Sequence, residues 1–461
     1  MGNSACLGRF FSTQYRFGMA SPNGKKARYS SSLILNYGSI AELVYNAETA
    51  KTSFVIWDGG AWSIHPQLDV SADEKVLPFS PTNNLIKNEA VLLPLEPVEY
   101  GDEPQLIGEV RTFIHRYADL SPPFETIATY YVLLTWLHDV FNELPYLRLR
   151  GDYGTGKTRT LLTLGSLCYK AFFASGASTV SPIFHTLDAF GGTLVFDEAD
   201  FRFSDERAEI VKVLNNGNVR GVPLLRTMMN QQREFNPRAF QIFGPKIVAT
   251  RSHYEDKALE SRFLTEEMGG RPFRDDVPIN LPATFKDEAR VLRNKLLLYR
   301  FHKRHETRLD ESLLDPALEP RLNQIILPLL SIVRDESARE ELRSLARHMQ
   351  SGLVSERGMQ AEAQVLEVLA ELIEVSERTV VAVADVVSLL VERYGSDYER
   401  PITNRWVGGI LRKRLNLQTY KSHGVFVVPI TERPKIELLC VRYGVNAFQD
   451  HSGDMGTSGT S

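Results

Sequence analysis

An eight-residue motif in the first half of the chain constrains its fold more than any other feature. Residues 151–158 read Gly-Asp-Tyr-Gly-Thr-Gly-Lys-Thr and match the pattern G-x-x-x-x-G-K-[ST] in full. A strand-like segment, 146–150, precedes the motif, and residues 160–169 have the pattern of a helix. Glycines in such a loop let backbone N–H groups turn towards phosphate oxygens, and the start of the helix adds a partial positive charge. The motif therefore predicts a nucleotide-binding loop between a strand and a helix of an α/β domain.

The side chains at the end of the motif predict what the loop binds. Lys157 would reach the β- and γ-phosphates of a nucleotide, and the Thr158 hydroxyl would bind Mg²⁺. ATP with Mg²⁺ is therefore the expected cofactor; the alternative is a glycine-rich turn that matches the pattern by chance. The residues assigned to nucleotide binding are Gly151, Asp152, Tyr153, Gly154, Thr155, Gly156, Lys157 and Thr158.

A second polar site is predicted 40 residues after Lys157, where an apolar strand pattern, 193–196, ends in Asp197 and Glu198. Asp197 would belong to the Mg²⁺ shell, as the acidic residue of a phosphate-loop enzyme does. Glu198 would polarise the attacking water, which predicts a hydrolase. The alternative is a solvated acidic turn. Residues 197–200 also spell the DEAD-box motif, but no second helicase domain with its own arginine motif follows, so we interpret the match as a coincidence.

A third strand pattern and an arginine complete the set of polar positions. Residues 246–250 predict a strand that ends in Thr250, and Ser261-Arg262-Phe263 follows a short helical pattern. With the phosphate loop and the Asp-Glu strand, these segments resemble the AAA+ ATPases, and within them the helicase-like proteins of phages, plasmids and integrated elements.

A closer likeness runs through three further segments, which are residues 214–221, residues 243–246 and residues 321–330. They resemble the uncharacterised ATPase domain that is often fused to mobile-element primases and replication proteins. The likeness covers about 145–345 and departs at the sensor position, where a plain Thr-Arg stands. No primase active site with clustered catalytic acids is visible.

The resemblance implies roles for the remaining polar residues. Thr250 would be the sensor near the γ-phosphate, with Arg251 as the fallback. Arg262 would be an arginine finger for the neighbouring subunit's site, and such a finger is worth a factor of about 10³ or more in rate. Arg226 is a weaker rival for that role. The alternative for Arg262 is a surface arginine that pairs with a local acid such as Glu260. The predicted catalytic residues are Glu198, Lys157, Arg262 and Thr250.

The interval between the acidic strand and the sensor strand contains the first predicted DNA contact. Ring helicases carry a pore hairpin here, and residues 228–233 are a candidate for its tip. Arg226 and Arg233 would then bind the phosphate backbone. The alternative is a solvated connection beside the core.

The last region predicts a second nucleic-acid contact. Residues 383–391 and 403–415 have helical patterns, and residues 419–428 form a hairpin pattern that turns at His423-Gly424. Helix, basic helix and hairpin is the order of a winged helix. Between residues 401 and 443, eight basic residues oppose two acidic ones, a local charge of +6 that is typical of a site for a phosphate backbone. The predicted contacts are Arg412, Lys413, Arg414 and Lys421; the alternative is a winged helix that binds protein partners.

Composition narrows the class of protein. A chain of 461 residues is too long for one ordinary core. Hydrophobic residues make up 43% and charged residues 24%, as in soluble globular proteins, and the longest apolar runs are too short to span a bilayer. A net charge of −4 excludes a histone-like coating of nucleic acid. Three cysteines far apart speak against a zinc knuckle and favour a reducing compartment, which predicts a cytoplasmic protein.

The predicted fold class is α/β: a parallel-sheet, AAA+-like phosphate-loop ATPase core with a small N-terminal β-rich domain, a helical lid and a C-terminal winged-helix-like domain. The first 41 residues hold five basic residues and no acid, which is typical of a basic arm or of a transit peptide. The predicted boundaries are a flexible arm at 1–32, a β-rich domain at 33–102, a helical linker at 103–144, the ATPase core at 145–284, the lid at 285–358, the winged helix at 359–445 and a flexible tail at 446–461.

Two functions from different classes fit these patterns. The first is a Mg²⁺-ATP-driven, helicase-like motor or loader on DNA, which replicates a mobile element as a homo-oligomeric ring with a primase or replication partner. The second is a protein-remodelling or regulatory ATPase that uses the winged helix as a protein dock. The polar and basic pore stretch favours the first, because remodelling rings usually carry an aromatic-hydrophobic pore loop. A third reading is a decayed element gene that retains nucleotide binding alone.

Overall fold

The computed structural model describes most of the chain, in the ranges 15–20, 26–35, 38–71, 74–197, 205–229, 235–254, 256–358, 361–375, 379–395, 398 and 401–447. The chain divides into two compact units, residues 1–345 and 346–461. Glu198 and Arg233, two of the predicted site residues, lie outside the described residues. Within the described part, none of the helices combines the length and the apolar character that a membrane crossing requires.

The first unit begins with two four-stranded sheets, which have the strand orders β1-β2-β8-β7 and β3-β4-β5-β6. Two of the strands, β1 and β2, lie in the segment predicted as a flexible arm. Strand β2 pairs with β8, and Arg28 forms an ion pair with Glu74. Residues 58–60 lie in the turn that connects β5 to β6, where the Asp58 carboxylate accepts two backbone N–H groups. The strands are β1 Tyr15–Ala20, β2 Lys26–Ser30, β3 Ser32–Ile34, β4 Ile40–Asn46, β5 Lys51–Trp57, β6 Trp62–His65, β7 Leu68–Asp69 and β8 Glu74–Pro78.

A five-stranded parallel sheet forms the centre of the first unit, in the order β10-β11-β14-β9-β15. Strand β9, which leads into the glycine-rich motif, therefore lies between the predicted sensor strand and the strand that follows Arg262. The predicted α/β class with a parallel phosphate-loop core is confirmed. The strands are β9 Tyr146–Arg150, β10 Phe172–Ser175, β11 Leu194–Asp197, β14 Lys246–Thr250 and β15 Phe263–Glu267, and a separate hairpin is formed by β12 Leu224–Met229 and β13 Phe235–Phe240.

Helices connect these strands and continue after the sheet. Helix α3 is buried along almost its whole length, and Tyr131 donates a hydrogen bond to the carbonyls of Pro145 and Lys246. The segment predicted as a linker is therefore part of the core. The helices are α1 Asn84–Lys87, α2 Glu103–Tyr117, α3 Pro122–Leu137, α4 Lys157–Gly165, α5 Val180–Phe190, α6 Asp205–Asn216, α7 Lys257–Glu260, α8 Phe285–Lys303, α9 Pro320–Ile332 and α10 Glu336–Gly358.

The side chains of the central sheet alternate between two faces. Leu194 and Phe196 of β11 belong to one hydrophobic cluster with Val248 of β14 and with residues of α5 and α6. Val195 points to the other face, where α4 packs so closely that a Cβ on Gly165 would lie 2.8 Å from the Val195 side chain. Because successive residues of a strand face opposite sides, helices cover the sheet on both sides and leave its strand ends as the place for polar groups.

A buried ionic cluster, which we call the Arg300 junction, connects β4 to the helices of the core. The Glu42 carboxylate lies 2.9 Å from Lys170 Nζ and 2.8 Å from Arg300 Nε, and Arg300 Nη1 lies 2.7 Å from Asp139 Oδ1. The side chains of Glu42, Lys170 and Arg300 are at most 2% exposed. Every charge in the junction has an opposite charge in contact, as burial of ions requires.

The second unit contains helices around a three-stranded sheet with the order β16-β18-β17. Thr403, at the start of the helical pattern predicted for 403–415, caps helix α13, since its hydroxyl accepts the N–H of Trp406. The helix continues into a π-helical turn at 410–414. The predicted winged-helix-like order of helices and hairpin is present. The elements are α11 Ala361–Val375, β16 Val380–Ala382, α12 Val383–Tyr394, α13 Asn404–Gly409, β17 Tyr420–Ser422, β18 Val425–Pro429 and α14 Arg433–Tyr443.

Candidate functional site

The glycine-rich motif forms a loop between the end of β9 and the start of α4. Gly154 and Gly156 have φ values of 73° and 83°, in the left-handed region that glycine adopts without a steric penalty. Helix α4 begins directly after Gly156, at Lys157, so the N-terminal N–H groups of this helix face the loop. The pattern of strand, loop and helix that the motif predicts is therefore present.

Lys157 folds back over the loop that precedes it. Its Nζ donates to the carbonyl oxygens of Gly151 and Asp152, each at 2.6 Å. These carbonyls carry partial negative charge, and nucleotide phosphates would offer the ammonium group stronger acceptors in the same place. The Lys157 side chain therefore lies against the loop and does not point away from it.

The two predicted magnesium ligands touch each other. Thr158 Oγ1 donates to Asp197 Oδ2 at 2.7 Å, although the residues are 39 positions apart and belong to different elements. Among the described residues no group of three or more His, Cys, Asp or Glu side chains is arranged to hold a metal by itself. Mg²⁺ in phosphate-loop sites takes one or two protein ligands, with water and phosphate oxygens for the rest, so a hydroxyl and a carboxylate fit this ion.

Thr250 lies beside the loop at the end of β14. Its carbonyl accepts the N–H of Gly151 at 3.1 Å, and its side chain is 1% exposed. Its Oγ1 is buried and has no hydrogen-bond partner in the part of the chain that the structure describes, and such an unsatisfied group costs roughly 1–3 kcal/mol. A buried hydroxyl without a partner next to a phosphate loop fits a ligand oxygen or a water bound there. The fallback sensor, Arg251, lies over the ring of Tyr153 at 4.9 Å from its centroid.

Arg262 lies at the N-terminal ends of the parallel strands, whereas the loop lies at their C-terminal ends. Its carbonyl accepts the N–H of Tyr146, the first residue of β9, and five residues of strand span about 17 Å. Its guanidinium donates to the Asn218 side chain at 2.9 Å, to the Ala258 carbonyl at 2.6 Å and to Asn215. Among the described residues no carboxylate lies within ion-pair distance of it, so the alternative of a salt-bridged surface arginine finds no partner there.

A second arginine approaches the same carbonyl. Arg321, at the start of α9, donates to the carbonyl of Ala258 at 3.0 Å. Burial lowers the pKa of Arg262, and the neighbouring Arg321 charge lowers it further. Sequence reasoning identified Arg262 but missed Arg321, Asn215 and Asn218, and the only signal for them was their position in the segments that carry the family likeness.

The predicted pore interval contains a β-hairpin, β12–β13, and residues 230–234 at the position of its tip lie outside the described residues. Arg226 stands opposite Arg238 in the ladder, an arrangement that is unfavourable for like charges. Each has an acidic partner that offsets it, because Arg226 pairs with Glu209 at 2.8 Å and Arg238 with Asp188 at 3.2 Å. Arg226 is therefore engaged within the fold at the base of the hairpin.

A covering segment after β15 was not anticipated from the sequence. A Cβ on Gly151 would lie 2.5 Å from the Met268 carbonyl, and one on Gly156 would lie 3.0 Å from the Phe273 ring. The Arg159 guanidinium donates to the Pro278 carbonyl at 2.7 Å. Gly151 is thus required for close contact, and Gly156 for close contact as well as for its backbone conformation.

The basic residues of the second unit divide into paired and unpaired groups. Arg414 forms an ion pair with Glu362 at 3.0 Å, and Arg433 pairs with Glu437 at 2.8 Å. Arg412, Lys413 and Lys421 are exposed and have no carboxylate within ion-pair distance among the described residues. Of the four predicted nucleic-acid contacts in this unit, three therefore carry charge that the fold leaves uncompensated.

Comparisons with known proteins give a likeness in fold and nothing closer. No protein-family model matches the chain, and no curated protein matches it. Among solved structures it is similar to the apo C-terminal region of NrS-1, with 12% identity, 85% of this chain and 96% of that chain covered, and a TM-score of 0.35.

Two further structures have lower TM-scores. For JCV helicase the identity is 16%, with 54% of this chain and 61% of that chain covered and a TM-score of 0.24. For the Aeropyrum pernix ORC1 protein in complex with DNA the identity is 14%, with 71% of this chain and 95% of that chain covered and a TM-score of 0.20. Likenesses this weak carry no information about chemistry, so the roles proposed below rest on the geometry of this chain.

Proposed function

We propose that this protein is a Mg²⁺-ATP-hydrolysing, AAA+-like motor or loader that acts on DNA, helicase-like in the replication of a mobile element. One observation carries the ATPase part. The hydroxyl of Thr158 and the carboxylate of Asp197 meet at 2.7 Å beside the phosphate loop. At the next strand end, none of the described residues hydrogen-bonds to the buried hydroxyl of Thr250. The proposal gives each of these groups a ligand.

Each residue has a distinct task in this proposal. The loop from Gly151 to Thr158 binds the phosphates through backbone N–H groups, and Lys157 compensates the charge of the β- and γ-phosphates. Thr158 and Asp197 hold Mg²⁺, which lowers the charge that an attacking water meets. Glu198 is proposed to polarise that water, and Thr250 to position it or the γ-phosphate.

Arg262 is proposed to serve the site of a neighbouring subunit. The length of β9 separates it from the loop of its own chain, so it cannot reach its own phosphates. Its amide and carbonyl partners hold it in place and leave its charge for an anion. The functional form would then be a homo-oligomeric ring, in which each subunit completes the site of the next.

The DNA part of the proposal rests on the second unit. Arg412, Lys413 and Lys421 are exposed and have no acidic partner within the described ranges, in a winged-helix-like arrangement of helix and hairpin. Such a local excess of positive charge attracts a phosphate backbone even in a protein of net negative charge. A primase or another replication protein is the proposed partner, following the family likeness of residues 145–345.

Steady-state ATP hydrolysis, with and without single- and double-stranded DNA, tests this function. Lys157→Ala is the blank, and Lys87→Ala, an exposed lysine of α1, is the matched control. We expect hydrolysis that DNA stimulates several-fold, that Lys157→Ala abolishes and that Lys87→Ala leaves unchanged. Hydrolysis equal in Lys157→Ala and the unaltered protein would refute the assignment of the loop.

One observation favours the alternative, a protein-remodelling or regulatory ATPase with the winged helix as a dock. Helix α14 exposes Leu438 and Val441, which are 73% and 78% exposed and lie three positions apart, on one face of the helix. Hydrolysis that is indifferent to both forms of DNA would favour this function over the motor.

A further inference from the structure

The wing of the second unit exposes an aromatic ring between two cations. Phe426 of β18 is 48% exposed. It stands opposite Lys421 of β17 in the antiparallel ladder, so the two side chains share one face of the hairpin. From the π-helical turn, the Arg412 guanidinium approaches the Phe426 ring to 5.1 Å from its centroid. We call these three residues the wing platform.

The exposure of Phe426 is local to the wing. The next two residues of the same strand, Val427 and Val428, are 3% and 0% exposed, so β18 enters the core directly after the ring. The hairpin turns at His423 and Gly424, whose φ values of 45° and 88° belong to the tight two-residue turn that favours the twist of a hairpin. The short turn and the buried end of β18 hold the ring at a fixed place outside the core.

The charges of the platform are available to a ligand. Arg412 donates to the neutral Thr419 hydroxyl at 3.2 Å, and neither Arg412 nor Lys421 has an acidic partner among the described residues. By contrast, Arg414 and Arg433 of the same unit each form an ion pair with a glutamate, which neutralises their charge. An anion is therefore the partner that the platform fits by charge.

We propose that the wing platform binds single-stranded DNA by stacking one unpaired base on Phe426, while Arg412 and Lys421 bind the phosphates on either side of that base. An aromatic ring beside cations is the combination that single-strand-binding surfaces use, because every base has a flat face to stack. A base inside a duplex has both faces covered by its neighbours, so the ring has nothing to stack on there. The inference deepens the proposed function and rests on its DNA part, since it states which form of DNA the second unit prefers.

The same hairpin supplies a matched control. Tyr420 is 49% exposed, nearly the same as Phe426, but it stands opposite Val427 in the ladder. Because adjacent residues of a strand face opposite sides, Tyr420 lies on the other face of the wing from Phe426. Tyr420→Ala thus removes an exposed aromatic side chain of the wing and leaves the platform intact.

The test is a binding titration of the full chain, without nucleotide, against a labelled single-stranded oligonucleotide and the blunt duplex of the same sequence. We expect Phe426→Ala to weaken single-strand binding by roughly 5- to 100-fold, to change duplex binding less than about twofold, and to leave the stability of the fold unchanged because the ring is half exposed. Phe426→Trp should restore the affinity, and Tyr420→Ala should leave it unaltered. A single-stranded probe that carries 2-aminopurine should lose fluorescence on binding the unaltered protein and keep it with Phe426→Ala, since stacking quenches this base.

Several outcomes would overturn the inference. Equal losses for single strand and duplex would show that the platform contacts backbone alone, and an unchanged single-strand affinity in Phe426→Ala would remove the ring from binding. Equal effects of Tyr420→Ala and Phe426→Ala would point to a general loss of wing structure. If the unaltered chain binds neither oligonucleotide, both this inference and the DNA part of the proposed function fail. If Phe426→Ala keeps full single-strand affinity and DNA still stimulates its hydrolysis, only this inference fails.

Discussion

Two arginines of the first unit, Arg300 and Arg262, occupy opposite environments. Arg300 is completely buried and contacts the carboxylates of Glu42 and Asp139. Burial alone would lower the pKa of Arg300, but the negative charges around it outweigh burial and raise the pKa well above its ordinary value. Arg262 is half-buried, and its hydrogen-bond partners among the described residues are two side-chain amides and a backbone carbonyl. Burial and the neighbouring Arg321 charge lower its pKa.

The difference separates a structural charge from one that we propose is held for a ligand. In the Arg300 junction the fold supplies every counter-charge, so nothing from outside is needed to complete it. At Arg262 the fold supplies direction, and none of the described residues places a counter-charge within ion-pair distance. Removing the first should cost stability, and removing the second should cost activity in a protein that remains folded.

The largest effect is expected at Arg262. Arg262→Ala should lower the rate of ATP hydrolysis by about 10³-fold or more, because the neighbour's transition state loses its arginine, and ATP affinity should change little. Hydrolysis and nucleotide binding are measured side by side, with Arg290→Ala, an exposed arginine of α8, as the control. Loss of ATP binding together with hydrolysis would contradict the finger role.

At the Arg300 junction the change should appear in the free energy of unfolding. Arg300→Met removes one of the two cations that contact each of the Glu42 and Asp139 carboxylates. Lys170 and Arg304 remain in contact with them, so the loss should approach, at most, the roughly 3–5 kcal/mol that breaking a buried pair costs. Denaturant titration of this variant, and of Glu42→Gln, measures the loss. The hydrolysis rate per folded molecule should stay within about twofold of the unaltered rate; a stable but inactive Arg300→Met would contradict the division between the two arginines.

Thr250 belongs on the ligand side of the comparison, and a nearly isosteric change tests it. Thr250→Val removes a buried hydroxyl to which none of the described residues hydrogen-bonds, so the free energy of unfolding should rise by roughly 1 kcal/mol. The same change should lower turnover about 10- to 100-fold if the hydroxyl positions the γ-phosphate or the water. Thr250→Ser keeps the hydroxyl and should restore most of the rate. A variant that is neither more stable nor slower would show that the hydroxyl has no ligand.

The smallest effect is a pH dependence next to the Arg300 junction. Burial lowers the pKa of His138 to about 4, below the unfolded value of about 6.5. The unfolded chain therefore takes up the proton first, and stability that is complete above pH 7 is lost as the pH falls towards 4. Between pH 7.5 and pH 6 the loss should be about 1 kcal/mol. His138→Gln cannot take up this proton, so its unfolding free energy should change less over the same range, and equal slopes would contradict the assignment.

Much of the nucleotide site was predictable because its signals are local. The motif predicted the order of strand, loop and helix around Lys157, and two later strand patterns were each expected to end in polar residues of the site. The structure brings two of those residues, Asp197 and Thr250, to the edge that holds the loop. The wing turn at His423 and Gly424 was readable for the same reason, since a two-residue turn depends on its own residues.

The Arg300 junction was not predictable, because its members come from distant parts of the chain. Glu42 and Arg300 are 258 positions apart, and neither follows a pattern that marks it as buried. Lys246 is similar: its Nζ donates to the carbonyls of Gly217, Ile242 and Gly244, and this connects segments 214–221 and 243–246, which are well separated in the sequence. Strand order has the same difficulty, since pairing between strands is decided by contacts far apart in sequence.

Arg262 and Lys157 lie at opposite ends of the strands of one sheet, and this separation has a consequence for mixtures of two inactive variants. If each site takes its loop from one chain and its arginine from another, an Arg262→Ala chain still carries an intact loop and a Lys157→Ala chain an intact arginine. Two inactive preparations, mixed and allowed to exchange subunits, would then regain activity, in about a quarter of the sites when they assemble at random in equal amounts. Recovery of activity from two inactive variants would show that each active site forms where two chains meet.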